Sequence, residues 1–538
     1  YSNSANAIEH NEDSEMAAIR ARQLYLEAGE PIRAAEQQLA LFSVALRRAE
    51  PREQVRAYLT QASAEIAELS PSPEREALRL WLILMDAEQL FLELDLTTAR
   101  ERALEAQELA TTMGDREAIL DAEITLARIE VVDGNYESGM RDGLRSCREA
   151  RDAGYESTGV TRYRNMALLA ARIMEPDVAT AAIAEGLQYA DAIEQSHCRQ
   201  MIAGTLALLD WGAGHWAEAD ARARQDLSDR GCRRGMIGGQ DVLGLVAMGR
   251  GRTEEARRWF DESLTLGRRT GEVHLVLTPL WGLAETALME GRAAAAVERC
   301  EEAWALAGTT GERALFIPFV VTGTRSYIAA RRPDGAATWL ARMREFFAGW
   351  ESIAGASLSH AEGLVGLIGG SLAAAREAYE RAVRGWEERG RAWEAMNARI
   401  DLARCLIRMN RHVDAAELLE QANVRAFEMG SPPLVARVEE VAKGSRGRSR
   451  DQEPWRPLTV REFEVARLVA DGLTNGEIAA QLTLSPKTVS AHVEHILAKL
   501  GVARRTEIAT WATAVRHAEA ASVARSTQAN AASVPARP

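Results

Sequence analysis

From about residue 15 to residue 440, Ala and Leu alternate with Arg and Glu at helical spacing, and short breaks recur at Leu94, Gly134, Met174, Gly214, Gly251, Gly291, Arg332, Gly370 and Asn410. The intervals between them are 40, 40, 40, 37, 40, 41, 38 and 40 residues. Five positions after each break stands a small residue: Ala99, Gly139, Ala179, Ala219, Ala256, Ala296, Ala337, Ala375 and Ala415. Small residues also precede several breaks by seven positions (Ala127, Ala207, Gly244, Ala284, Gly363, Ala403) and follow some by twelve (Ser263, Ala303, Ala382, Ala422). Antiparallel helices approach closely only where the facing side chains are small, so each period predicts one helical hairpin with its crossing at these positions. A hairpin of this kind cannot bury its apolar face alone, and the hairpins are expected to stack into a superhelix with a concave surface. Arg52 with Ala57 marks one further candidate hairpin, residues 15–49 read as helix, and residues 1–14 are expected to be unstructured.

The repeat stops after Glu440. Residues 441–454, rich in Gly, Ser and Arg and closed by Pro454, read as a linker. Three helix starts follow within 455–517: Thr459 with Glu462 and Thr474 with Glu477 form Thr-x-x-Glu capping boxes, and Ser485 before Pro486 supplies an N-cap with proline at the first helical position. A helix near 475–482 and a three-residue turn precede a longer helix whose apolar stripe runs through Val489, Val493, Ile496 and Leu500. Its opposite face carries Lys487, Ser490, Ala491, Glu494 and His495, which suit base edges and phosphates in a major groove. Residues 518–538 read as a disordered tail.

The order of small residue, turn, small residue and aromatic (Phe260, Tyr379) resembles tetratricopeptide repeats, whose period is about 34 residues; HEAT or armadillo stacking fits the longer period nearly as well. The stretch from Leu458 to Trp511 resembles the LuxR/NarL helix-turn-helix family, with Thr459, Arg461, Glu462, Gly472, Asn475, Ile478, Ala479, Ser485, Thr488, Val489, His492, Lys499, Gly501 and Arg505 on pattern. That resemblance implies that Lys487, Thr488, His492 and Lys499 hold phosphates or set helix register, that Ser490, Ala491 and Glu494 face bases, and that Arg505 and Glu462 form an internal support pair. It also implies a homodimer on DNA, with Ile508, Trp511 and Val515 of the last helix as the pairing face. Gly476 and Ser490 stand where family members often carry lysine, and Glu494 where an acid is uncommon, which lowers the expected phosphate affinity. The fold class expected is all-α: a superhelical array of tetratricopeptide-like hairpins (15–440) followed by a small four-helix LuxR-type domain. The arrangement resembles the C-terminal half of large ATP-binding LuxR-family regulators. A chain beginning at Tyr1 rather than Met suggests a piece of such a protein, and a shorter type that senses without ATP is the other reading.

Composition narrows the chemistry. At 538 residues the chain exceeds any one average domain, and its net charge of -13 excludes a uniformly basic coat, so DNA contact must be local. Residues 455–517 carry eight basic and six acidic residues. Lysine occurs only at 443, 487 and 499, so the first 442 residues cannot supply a P-loop, Schiff-base or kinase-type lysine. Five cysteines without a CxxC, and histidines such as His274, His360 and His412 without ligand spacing, predict neither disulfides nor a metal, and no cofactor is implied. Trp216, Trp259, Trp281, Trp304, Trp339, Trp386 and Trp393 of the repeats read as core or as the lining of a groove. No nucleophile elbow or phosphate loop appears, so no catalytic residue is expected, and no signal or spanning segment is evident. The expectation is a cytoplasmic bacterial transcription activator that binds duplex DNA and senses a ligand or protein partner at the concave face of its repeats. The alternative is an interaction scaffold with little sequence-specific DNA binding.

Overall fold

The computed structural model describes residues 11–228, 233–450 and 458–516, and every regular element among the described residues is helical. The chain divides into two compact units, Tyr1–Val441 and Ala442–Pro538.

In the first unit, helices of 17 or 18 residues succeed one another, as in Leu96–Met113, Arg116–Asp133, Tyr136–Asp152 and Glu156–Arg172. Each is followed by a left-handed residue: Leu94, Gly114, Gly134, Gly154, Met174, Glu194 and Gly214 stand at intervals of 20. The next amide donates to the carbonyl five residues back, Asp115 to Ala110 and Asn135 to Glu130 at 2.9 Å, a Schellman closure that satisfies the helix end. Turns within hairpins and between them are therefore alike, and the forty-residue period is two copies of a twenty-residue step. What alternates is the buried face. Leu96–Met113 buries only the stripe Ala99, Ala103, Ala106 and Ala110, whereas Arg116–Asp133 buries residues around much of its circumference, Leu120, Ile124, Ile129 and Val131 included.

The small residues sit at the crossings as expected, with one shift of register. Ala99, Ala179, Ala219, Ala256, Ala296, Ala375 and Ala415 are fully buried, and a Cβ on Gly139 would meet the Ala127 carbonyl at 2.6 Å. In the seventh repeat the left-handed residue is Arg331 rather than Arg332, because Arg332 caps a helix that opens with Pro333; Ala336 is then the buried residue and Ala337 is exposed. Two other expectations change. The helix Asn11–Glu27 includes residues 11–14, and residues 15–49 form a hairpin turning at Gly29, while residues 1–10 lie outside the described part. The helix Pro432–Arg450 runs through most of the stretch read as a linker: its glycines Gly444 and Gly447 each cost about 1 kcal/mol relative to alanine, too little to stop a helix otherwise rich in arginine. Residues 451–454 and the tail 518–538 lie outside the described residues.

The superhelix winds tightly enough for successive coils to touch. Arg269 pairs with Glu50, Arg389 with Glu175, and the Arg425 guanidinium donates to the Ala213 carbonyl, at separations of 219, 214 and 212 residues. Ser431 Oγ donates to the Gly249 carbonyl across 182 residues, and the Trp350 indole lies on Gly134. The expected concave face thus becomes an interior surface, partly covered where coil packs on coil.

Alternate helices line that interior and bond across it at separations near one repeat or two. Arg128 pairs with Glu88, Arg162 with Asp121 and Glu88, and Arg234 with Glu272. Further along, Asp401 accepts from Arg325 at 2.7 Å and from Arg437 at 3.2 Å and lies 3.2 Å from His360, while Trp281 donates to Thr322, which donates to Glu285. Burial pushes the His360 imidazole down to about 4, so it is a neutral core residue. The cavity around Trp281, Arg325 and Trp393 measures about 10 Å³, whereas a chamber of about 260 Å³ opens between Phe91, Arg128, Arg172 and His274. The interior is filled at one end and hollow at the other.

Candidate nucleic-acid interface

The C-terminal unit packs Val460–Ala470, Asn475–Leu482, Pro486–Leu500 and a last helix at 505–516 around Val465, Ile478, Val489, Ile496 and Ile508. Both Thr-x-x-Glu boxes form as reciprocal caps, and Ser485 Oγ accepts the Thr488 amide at 3.1 Å with Pro486 at the first position. Thr483 takes the left-handed conformation between the second and third helices, and the Leu484 amide donates to the Ala479 carbonyl at 2.8 Å, which fixes the turn.

Three cross-braces hold the helices of the unit together, two of them on the third helix. Arg505 donates to Asn475 Oδ1 and to the Leu473 carbonyl, both at 2.6 Å, and Asn475 Nδ2 donates to Ser490 Oγ at 3.0 Å, which ties three helices together. Lys499 Nζ donates to both Glu462 oxygens at 2.8 and 2.7 Å. Arg461 donates to the Leu482 carbonyl at 2.9 Å. Burial pushes Glu462 up, but the Lys499 ammonium and the Thr459 donors outweigh it and hold the carboxyl below its usual range.

These braces redistribute the expected roles. Lys499 is exposed and pairs with Glu462, which fits the register-setting role expected of it, and the support partner of Arg505 is Asn475 rather than Glu462. Ser490 is half-buried and bonded to Asn475, so it positions the helix. Lys487, Thr488, Ala491, Glu494 and His495 are exposed along one side of Pro486–Leu500, opposite buried Val489, Val493 and Ile496; His492 is half-buried at its margin. The expected pairing face is corrected: Ile508 and Val515 are buried in the domain's own core, and Trp511 packs edge-on against Phe463 with ring centroids 6.2 Å apart. The stripe looked free in sequence because a last helix reads as terminal, yet three other helices need it to close the core. The role of Asn475 as a bridge was missed; its place directly after the N-cap Thr474 and on the family pattern was the signal.

A helical-repeat array followed by a helix-turn-helix unit defines the class of protein. Residues 456–512 match the model of the bacterial regulatory proteins of the luxR family, so the C-terminal unit is a LuxR-family DNA-binding domain. The similar curated proteins match over the same part. An HTH-type transcriptional regulator of Mycobacterium bovis is 44% identical over 73 residues, 13% of this chain and 8% of that protein. The transcriptional regulatory protein LiaR of Bacillus subtilis is 38% identical over 99 residues (18% and 46%), and the DNA-binding transcriptional activator DevR/DosR of Mycobacterium tuberculosis is 42% identical over 71 (13% and 33%). The chain thus spans from about a twelfth to under half of the length of these relatives. Among solved structures, a Rap protein complexed with competence and sporulation factor aligns with 74% of this chain and 99% of its own at 12% identity, with a TM-score of 0.38. The anaphase-promoting-complex hetero-tetramer Cut9–Hcn1 aligns with 93% and 96% at 11% identity, with a TM-score of 0.39.

Proposed function

We propose that the protein is a transcription regulator that binds duplex DNA through the outward side of Pro486–Leu500 and senses a small molecule or partner through its helical-repeat array. The observation that carries this reading is the division of labour on the third helix. Ser490 and Lys499, which brace it, are paired within the domain, and Lys487, Thr488, Ala491, Glu494 and His495 are left facing outward at major-groove spacing. Lys487 and Thr488 contact phosphates, His492 lines the edge, and Ala491, Glu494 and His495 meet base edges. The domain works as a homodimer on DNA. The side of the last helix available for pairing carries exposed Thr506, Thr510 and Thr513; the Thr510 and Thr513 hydroxyls bond back to their own helix. Its place of action is the cytoplasm and its effect activation, the role that the name of the DevR/DosR relative carries.

Binding of the full chain to genomic duplex fragments, titrated with salt, tests this. The double variant Lys487→Ala/His495→Ala removes two exposed groups and should weaken binding at least tenfold while reducing the salt slope by about one. If the intact chain protects no discrete site and binds all fragments alike, the scaffold reading takes its place.

A further inference from the structure

The hollow end of the array's interior has a chemical character of its own. The inner helix Glu156–Arg172 presents Arg164, Asn165, Leu168, Leu169 and Arg172 to the chamber, one stripe at i, i+1, i+4, i+5 and i+8. The arginines at its two ends are about 12 Å apart along the axis by helical rise. Elsewhere on the wall the cationic charge is matched: Arg128 is held by Glu88 and Arg234 by Glu272. The stripe differs. Arg164 reaches only the Asn165 side-chain oxygen at 3.1 Å and the Met201 sulfur at 3.4 Å, and among the described residues no carboxylate lies within ion-pair distance of Arg164 or Arg172. Asn165 Nδ2 is a buried donor with no partner.

Four carboxylates share the wall, Glu88, Asp226, Asp241 and Glu312, and none of them lies within ion-pair distance of Arg164 or Arg172. Asp241 is buried and accepts only from Ser263, and burial pushes its carboxyl up to about 8, so it adds no full negative charge at neutral pH. Glu312 is likewise pushed up by burial. Burial lowers Arg172 to about 10, which leaves it cationic under the same conditions. Between these groups lie apolar side chains, Phe91, Val132, Leu208 and Leu275 among them. The other end of the same interior shows that this is not a property of the repeat, because there Arg325 and Arg437 share Asp401 and the space measures about 10 Å³.

We propose that this chamber is the binding site of an organic anion with an apolar body, its carboxylate or phosphate held between Arg164 and Arg172 with Asn165 donating, and its body lying on Leu168 and Phe91. The assignment deepens, and rests on, the reading that the array senses a small molecule. The physical case is complementarity. Two half-buried guanidiniums with no carboxylate at ion-pair distance favour an anion, and a chamber larger than the roughly 150 Å³ cavity that takes up benzene has room for an apolar body of several carbons.

Calorimetric titration of the full chain with decanoate, decanol and decylamine separates charge from apolar fit. Decanoate should bind at least tenfold tighter than decylamine, with decanol between them, and Arg172→Met should lose about tenfold to a hundredfold for decanoate while leaving decanol within a factor of about three. Arg172→Met also removes a half-buried charge without an ion-pair partner, so its melting temperature should stay level or rise. Leu168→Trp, which fills the chamber, should abolish binding of all three. Equal affinity for decanoate and decylamine, or an unchanged decanoate affinity in Arg172→Met, would overturn the assignment. Measuring binding to a genomic fragment selected by the full chain, with and without saturating decanoate, keeps the two claims apart. If decanoate binds as expected but leaves DNA affinity unchanged, the chamber is an anion site and the sensing reading fails by itself.

Discussion

Replacing Asp241 with asparagine tests the electrostatics of the interior directly. The carboxyl of Asp241 is buried on Arg233–Gly249, accepts one hydrogen bond from Ser263 at 2.5 Å, and feels Arg172 only at a distance. Burial dominates, and its pKa rises from 3.8 to about 8. A group whose folded pKa is raised takes up a proton on folding between those two values. Its environment therefore favours folding below about pH 4, and that advantage is lost as pH rises toward 8. Each unit of pH in this window costs about 1.4 kcal/mol, so at pH 7 the ionisable side chain should cost the fold roughly 4 kcal/mol relative to a neutral isostere. Asparagine keeps the shape and an acceptor for Ser263 and cannot ionise. Chemical denaturation of both proteins from pH 5 to pH 9 should show Asp241→Asn the more stable, by an amount that grows with pH and levels off above about 8. Every other titrating group cancels in the difference. A gap that does not change with pH, or that shrinks as pH rises, would show that Asp241 is ionised in the fold and that the chamber is wetter than its lining implies.

Three further outcomes follow from other parts of the molecule. Gly363→Ala, whose Cβ would fall 2.6 Å from the Tyr379 ring, should destabilise the array by about 1–3 kcal/mol, while Gly355→Ala, with nothing within 4 Å, should stabilise it by roughly 0.5–1 kcal/mol in the same melting experiment. Glu494→Lys exchanges an exposed acid for a base on the outward side of the third helix and should raise general DNA affinity, steepen the salt slope by about one and reduce site discrimination. Glu462→Ala removes a reciprocal cap and the partner of Lys499 together and should cost the C-terminal unit about 1–2 kcal/mol, read as loss of helical signal at lower denaturant.

Local chemistry was legible in the sequence wherever a few neighbouring residues decide the outcome. The capping boxes at Thr459 and Thr474, the proline-led third helix and its buried Val489, Val493 and Ile496 are all settled within one or two turns of chain, and they form as read. The helix crossings were equally legible because a small residue at a crossing is a hard steric demand, and all the expected residues from Ala99 to Ala415 meet it except Ala337, whose place Ala336 takes. What escaped depends on distant partners. The twenty-residue step stayed hidden although Gly114, Gly271 and Gly311 mark intermediate turns, because the small residue expected five positions on is replaced there by Ile119, Val276 and Phe316. The pairings Arg128 with Glu88 and Arg325 with Asp401 are 40 and 76 residues apart, and arginine and glutamate are so common in the repeats that no single pair stands out. Ile508 was misassigned for a related reason: an exposed-looking position on a helical wheel can be claimed by a helix that the wheel does not contain.

Packing of coil on coil changes what a bound molecule can do energetically. An open solenoid would meet a ligand with one or two repeats, and its neighbours would feel little. Here the chamber is lined by residues from Leu46 to Leu315, and the coils around it meet through contacts such as Arg269 with Glu50. Pairs of this kind contribute at most about 1 kcal/mol each where water reaches them. A ligand that binds only the closed form, present at a hundred times its dissociation constant, contributes about 2.7 kcal/mol. That exceeds what one or two coil-to-coil ion pairs supply, so occupancy of the chamber can decide whether the coils stay docked. An effector of micromolar affinity suffices for this at submillimolar concentration. Control of the array therefore requires a chamber that only one coil arrangement completes, rather than tight binding, and the spread of its lining over some 270 residues supplies that condition.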